Sequence, residues 1–150
     1  MKLVLVESPY RGKDYRSLEL NLKYGRACLR DCFLRGEAPF ASHLLYTQEN
    51  VLDDKNLENR KLGIEAGWAW GRKADLSAVY IDLIDNWNNY EGIAKGVDIA
   101  EKLRRPVEFR NLPDKVLMSL DSGIIGRRRN KEELVPELYS FLDSLKNNLK

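Results

Sequence analysis

Apolar residues crowd into KLVLVE at residues 2–7, a short run rich in β-branched side chains that closes on the turn cluster Ser8-Pro9-Tyr10-Arg11-Gly12. This pattern predicts a first strand. Over residues 15–34 the spacing becomes helical, with Leu18, Leu22, Ala27, Leu29, Phe33 and Leu34 forming an apolar stripe among charges and Gly36 as a stop. PFASHLLY at 39–46 reads as a second strand, with Pro39 at its first position, where a strand accepts proline. A loop over 47–56 follows, and Asp54 or Asn56 is placed to cap a helix over 57–73. LSAVYIDLI at 76–84 predicts a third strand, 86–90 a polar and aromatic loop, 91–103 a helix broken at Arg104-Arg105-Pro106, and 107–110 a fourth strand. Residues 115–120 fit a short strand or a helical turn, 121–131 a loop rich in glycine and arginine, and 132–148 a last helix with Leu134, Leu138, Phe141, Leu142 and Leu145 on one face. There is no internal repeat.

Helical segments alternating with short apolar strands imply right-handed crossovers and an α/β sandwich of three layers, with four to five mainly parallel strands. The division expected is a core over 1–112, with 113–150 as a C-terminal loop and helix packed on the same domain. Ligands of such sheets sit beyond the carboxyl ends of the strands. Segments 8–12, 46–50, 82–89 and 110–112 are therefore the places to look.

Composition narrows the classes. The 150 residues are 43% hydrophobic and 32% charged, which excludes a largely disordered chain. A net charge of +2 gives no basic footprint for nucleic acid or an anionic membrane. No apolar run approaches the ~20 residues of a membrane span. With no signal peptide ahead of KLVLVE, and with Cys28 and Cys32 four apart in a helical pattern, the expected location is a reducing cytoplasm (a host's, if the chain is phage-encoded).

Several residues carry possible chemistry. Ser8, Tyr10 and Arg11 bring a hydroxyl, a phenol and a guanidinium fork to the first loop, where Arg11 suits a phosphate or carboxylate; a solvated turn is the plainer alternative. His43 is the single histidine. In an apolar run it serves more often as a hydrogen-bonded core residue than as an acid–base group, and no companion ligands complete a metal site. Asp82, at the end of the third strand, fits a sugar hydroxyl or a strand-end cap equally. Glu65, between Gly63 and Gly67, needs a partner or a raised pKa if it faces inward. Those glycines leave room for a ligand or a second helix. Trp68 and Trp70 read as core or interface anchors, whereas Trp87, in an edge loop, is better placed to stack on a ring. Arg127, Arg128 and Arg129 read as a solvated loop.

In combination, VESPYRG at 6–12, Asn21-Leu22-Lys23-Tyr24, ACLRDCFLRGEAPFASHLLYTQ at 27–48, GIEAGWAWG at 63–71, VYID at 79–82 and RPVEFR at 105–110 resemble phage and bacterial proteins related to the nucleoside 2-deoxyribosyltransferases. The resemblance covers about residues 1–112. It implies a flavodoxin-like or Rossmann-like fold, a nucleoside or nucleotide pocket, no cofactor, and a homo-oligomer, dimer or higher, whose pockets neighbouring subunits complete. Catalytic relatives attack the anomeric carbon with a glutamate, in a pattern like Asp-x-Gly-Thr-x-x-Glu-x-x-x-Ala. With Ala100 as the alanine, the aspartate falls on Tyr90, the glycine on Gly92 and the nucleophile on Gly96, which has no carboxylate. Asp82 matches the family's strand-end aspartate. Two functions follow: cleavage or exchange of the N-glycosidic bond of a nucleoside 5′-monophosphate, or a non-catalytic module that senses or sequesters a nucleotide. The candidate catalytic set is Glu65, Asp82 and His43, and the candidate ligand contacts are Ser8, Tyr10, Arg11, Ser42, Trp87 and Gly92.

Overall fold

A computed structural model describes residues 1–120. The segments expected at 121–131, including Arg127–Arg129, and at 132–148 lie outside the described residues. Met1–Leu112 make one compact unit, and a second begins at Pro113. Within the second, α5 (Asp114–Leu120) resolves the strand-or-helix alternative as a helix.

The first unit is a sheet of four parallel strands, β1 (Leu3–Glu7), β2 (Ala38–Phe40), β3 (Leu76–Tyr80) and β4 (Val107–Arg110), in the order β2-β1-β3-β4. The crossovers are α1 (Tyr15–Leu34), then α2 (Ser42–Leu45) with α3 (Leu57–Gly71), then α4 (Glu91–Lys102). This is the α/β, flavodoxin-like arrangement, and its strand order reverses between β1 and β3. No described helix is long and apolar enough to cross a membrane.

Local chemistry sets the helix limits. α1 contains no β-branched residue and opens on a reciprocal cap, with Ser17 N donating to Asp14 Oδ1 at 2.8 Å and Asp14 N to Ser17 Oγ at 3.1 Å. It buries Tyr24, Cys28 and Cys32, one turn apart, and both cysteines are free thiols. Asn56, one of the two expected caps, accepts from the backbone of Glu58 and Asn59 at the start of α3. Val79, Ile84, Ile93 and Val97 form a core between β3 and α4, with Trp87, Val107 and Phe109 packed on it.

Two strands are shorter than their apolar runs. The second was expected over 39–46 but stops at Phe40, after which Ser42-His43-Leu44-Leu45 coil into α2. None of those four is β-branched, leucine favours helix, and the Ala41 carbonyl accepts from Leu44 and Leu45 N–H. The third was expected over 76–84 but ends at Tyr80, and Asp82 lies in the following turn. There Asp82 Oδ2 accepts from Leu112 N at 2.9 Å and from Tyr24 Oη at 2.8 Å.

Candidate functional site

Strand alternation decides what reaches the switch point. Pairing of Leu5 with Ser77 and of Glu7 with Val79 puts these four side chains on one sheet face, and Val4, Val6, Ala78 and Tyr80 on the other. The second face meets α1, where Tyr80 Oη donates to Asp31 Oδ2 at 2.7 Å. The first meets α4, where Val79 packs on Ile93 and Val97. Glu7, the last residue of β1, is thus directed toward α4 at the carboxyl edge.

Opposite it is Gly96. A Cβ built there would lie 2.8 Å from Glu7 Cδ and nearer still to Oε1, so the Glu7 carboxyl fills the volume that a side chain at 96 would take. The Glu7 carboxyl makes no hydrogen bond or salt bridge with any described residue. Burial pushes its pKa up to about 8, against a smaller opposing pull from the Arg105 guanidinium. Arg105 itself is held by Ser77 Oγ at 2.9 Å and by the Gly71 carbonyl.

Beside Glu7, Ser8 Oγ and His43 Nε2 are hydrogen-bonded at 2.8 Å. The Tyr10 ring meets the imidazole edge-on, with centroids 6.2 Å apart. Burial lowers the His43 pKa to about 4, so the imidazole is neutral near pH 7. Asn21 Nδ2 donates to the carbonyls of Tyr10 and Arg11, both at 3.1 Å, and fixes the first loop against α1.

Charge gathers on the 8–12 loop and α3. Arg11 Nε donates to Asp54 Oδ2 at 3.0 Å, and Arg60 Nη1 reaches Asp54 Oδ1 at 3.1 Å. Two guanidiniums thus share one carboxylate. A cleft of about 420 Å³ is lined by Glu7, Ser8, Tyr10, Arg11, His43, Asp54 and Arg60, together with Ser42, Tyr46, Gly63, Trp68 and residues at the start of α4. A larger hollow of about 740 Å³ lies between the first loop and segment 47–55, but Glu7, Ser8 and His43 do not line it. Among the described residues no group of three or more histidine, cysteine, aspartate or glutamate side chains is placed to hold a metal.

Of the residues singled out from sequence, Ser8, Tyr10, Arg11, Ser42, His43 and Gly92 line the cleft. Three do not. Glu65 is on the exposed side of α3, with Lys61 Nζ at 3.9 Å, so it needs no buried partner. Asp82 is buried outside the cleft and holds Tyr24 and the Leu112 backbone. Trp87 packs on Phe109 at 5.6 Å, and Trp68 is the tryptophan that faces the cleft. Glu7, Asp54 and Arg60 were missed as site residues. A carboxylate closing a strand buried on both faces, at the edge where ligands bind, was the available signal for Glu7.

A family described as a domain of unknown function, DUF7768, matches residues 2–110. The chain belongs to this family. Among solved structures, the 2-deoxyribosyltransferase of the psychrotolerant bacterium Bacillus psychrosaccharolyticus is similar to this DUF7768 protein, with a TM-score of 0.52 and 18% identity over 73% of this chain and 72% of that one. At that identity the likeness is one of fold. No curated protein sequence matches the chain significantly.

Proposed function

We propose that the cleft binds a nucleoside 5′-monophosphate or a related nucleotide. The observation that carries this is the convergence of Arg11 and Arg60 on the single carboxylate of Asp54, in a cleft whose other wall is hydroxyl, imidazole and carboxyl. Two guanidiniums facing one carboxylate leave a positive charge for a phosphate, which their planar forks suit. Tyr46 and Trp68 bring aromatic rings to the lining, the residue type that stacks on a base. The position of the cleft at the strand-order reversal, and the fold shared with a 2-deoxyribosyltransferase, support the same reading. Gly96 excludes a carboxylate nucleophile at that position of α4. A nucleotide that binds and always returns intact makes the protein a sensor or sequestering module.

The test is a thermal-shift screen of nucleosides and their 5′-mono-, di- and triphosphates, with chromatography of each mixture after incubation. Monophosphates are expected to raise the unfolding midpoint more than the parent nucleosides do. Arg11→Ala and Arg60→Ala should each weaken that binding by about 10-fold or more, the worth of one charged hydrogen bond. Equal stabilisation by nucleoside and monophosphate, unchanged in both variants, would remove the arginines from the site. A screen without any hit would end the nucleotide reading.

A further inference from the structure

We propose that Glu7 is a catalytic residue of this cleft, the acid that protonates the leaving base in cleavage of an N-glycosidic bond; this rests on the nucleotide reading above. Three carboxyl groups line the cleft, those of Glu7, Asp54 and Glu91. Asp54 is held between Arg11 and Arg60, and Glu91 is exposed and paired with Lys95 Nζ at 3.1 Å. Of the three, the Glu7 carboxyl alone makes no hydrogen bond or salt bridge to a described residue, and Arg105 acts on it only as a more distant charge. It comes from the strand end at the reversal of strand order, and its carboxyl rests on the bare backbone of α4 because residue 96 is glycine. The glycine vacates the space and the glutamate fills it from the sheet, so the cleft keeps a carboxyl while losing one from the helix.

In the reaction, the Glu7 carboxyl gives its proton to the base nitrogen as the C1′–N bond breaks, and the bonding electrons stay with the base. Water adds to C1′ and returns a proton to the Glu7 carboxylate. Free base and the sugar 5-phosphate leave, and Glu7 ends protonated as it began. The raised pKa keeps the donor form abundant at neutral pH.

The experiment incubates the full-length protein, wild type and Glu7→Gln, with ribo- and deoxyribonucleoside 5′-monophosphates, and follows free base by chromatography and binding by thermal shift. Wild type is expected to release base, at a rate that falls as pH rises through about 8. Glu7→Gln should lose ~100-fold or more of that rate, the usual worth of a positioned acid, while the same nucleotide still raises its unfolding midpoint. Should Glu7→Gln fail to fold, Gly96→Ala serves instead. It retains the carboxyl but pushes it aside, and should cost about 10-fold or more in rate, because displacing a reacting group lowers rate steeply. Wild type that binds the nucleotide and returns it intact overturns the Glu7 assignment and leaves the binding reading standing. Glu7→Gln cleaving at the wild-type rate does the same. Absence of any midpoint shift and any base release overturns the nucleotide reading, and the Glu7 assignment with it.

Discussion

Glu7 and His43 share one consequence of burial, which is that each is driven toward its uncharged form. Near pH 7 the inner wall of the cleft is a largely protonated carboxyl beside a neutral imidazole, next to the pair of guanidiniums that converge on Asp54. Because His43 is the single histidine, its ring C–H resonance reports the wall directly. Its folded pKa of about 4 lies below the ordinary 6.5, so the unfolded chain binds more protons between those values. The stability contributed by a neutral His43 is therefore complete above pH 6.5 and is lost as pH falls toward 4. An NMR titration should find the imidazole still neutral at pH 5.5, a value between the two limits. A midpoint near 6.5 would mean that the ring is solvated and not bonded to Ser8 in the wall.

At the scale of elements, the strands and long crossover helices were legible in the sequence because periodicity and β-branching reported them directly. The second strand is shorter than its run because PFASHLLY is mostly apolar, broken only by Ser42 and His43, and such a run does not separate a buried strand from a short strand followed by a helical turn. Of the candidate site, what depends on place was legible: Ser8, Tyr10, Arg11, Ser42, His43 and Gly92 lie in the loop after β1 or in the first turns of α2 and α4, and all line the cleft. Roles that depend on which way a side chain points were not legible. Glu65 is solvated, Trp87 lies on Phe109, and Glu7 was passed over inside an otherwise apolar strand. The glycines of α3 did signal a close approach, and α2 is what comes near. A Cβ at Gly67 would stand 2.8 Å from Ser42 Oγ and 2.9 Å from Ser42 Cβ. Gly67→Ala should therefore destabilise by ~1–3 kcal/mol, overpacking outweighing the gain of ~1 kcal/mol in helix propensity. Adding Ser42→Gly should return part of the loss in a denaturant titration. A single variant more stable than wild type would show that the two helices do not cross so closely.

For the whole molecule, the order β2-β1-β3-β4 explains why chemistry collects where it does. The chain leaves β1 toward one edge and returns across it to build the other, so the carboxyl end of β1 opens on a gap that α2, α3 and α4 line without filling. Among the described residues, the same crossover leaves a stripe uncovered. Leu62, Ala66, Ala69 and Trp70 follow helical spacing on α3, and Leu62 is 56% and Trp70 60% exposed. Singly exposed apolar residues are ordinary, but a helical row of them that includes a tryptophan marks a surface suited to a second copy of the chain. The self-association expected from the family resemblance is tested at this stripe. Sedimentation velocity at micromolar concentration should then give a dimer or larger species. Leu62→Glu, at a position where the fold tolerates a charge, should shift it to the monomer without lowering the unfolding midpoint measured below the dissociation range. If wild type sediments as a monomer across the concentrations tested, the stripe has no copy to meet, and the cleft is complete within one chain.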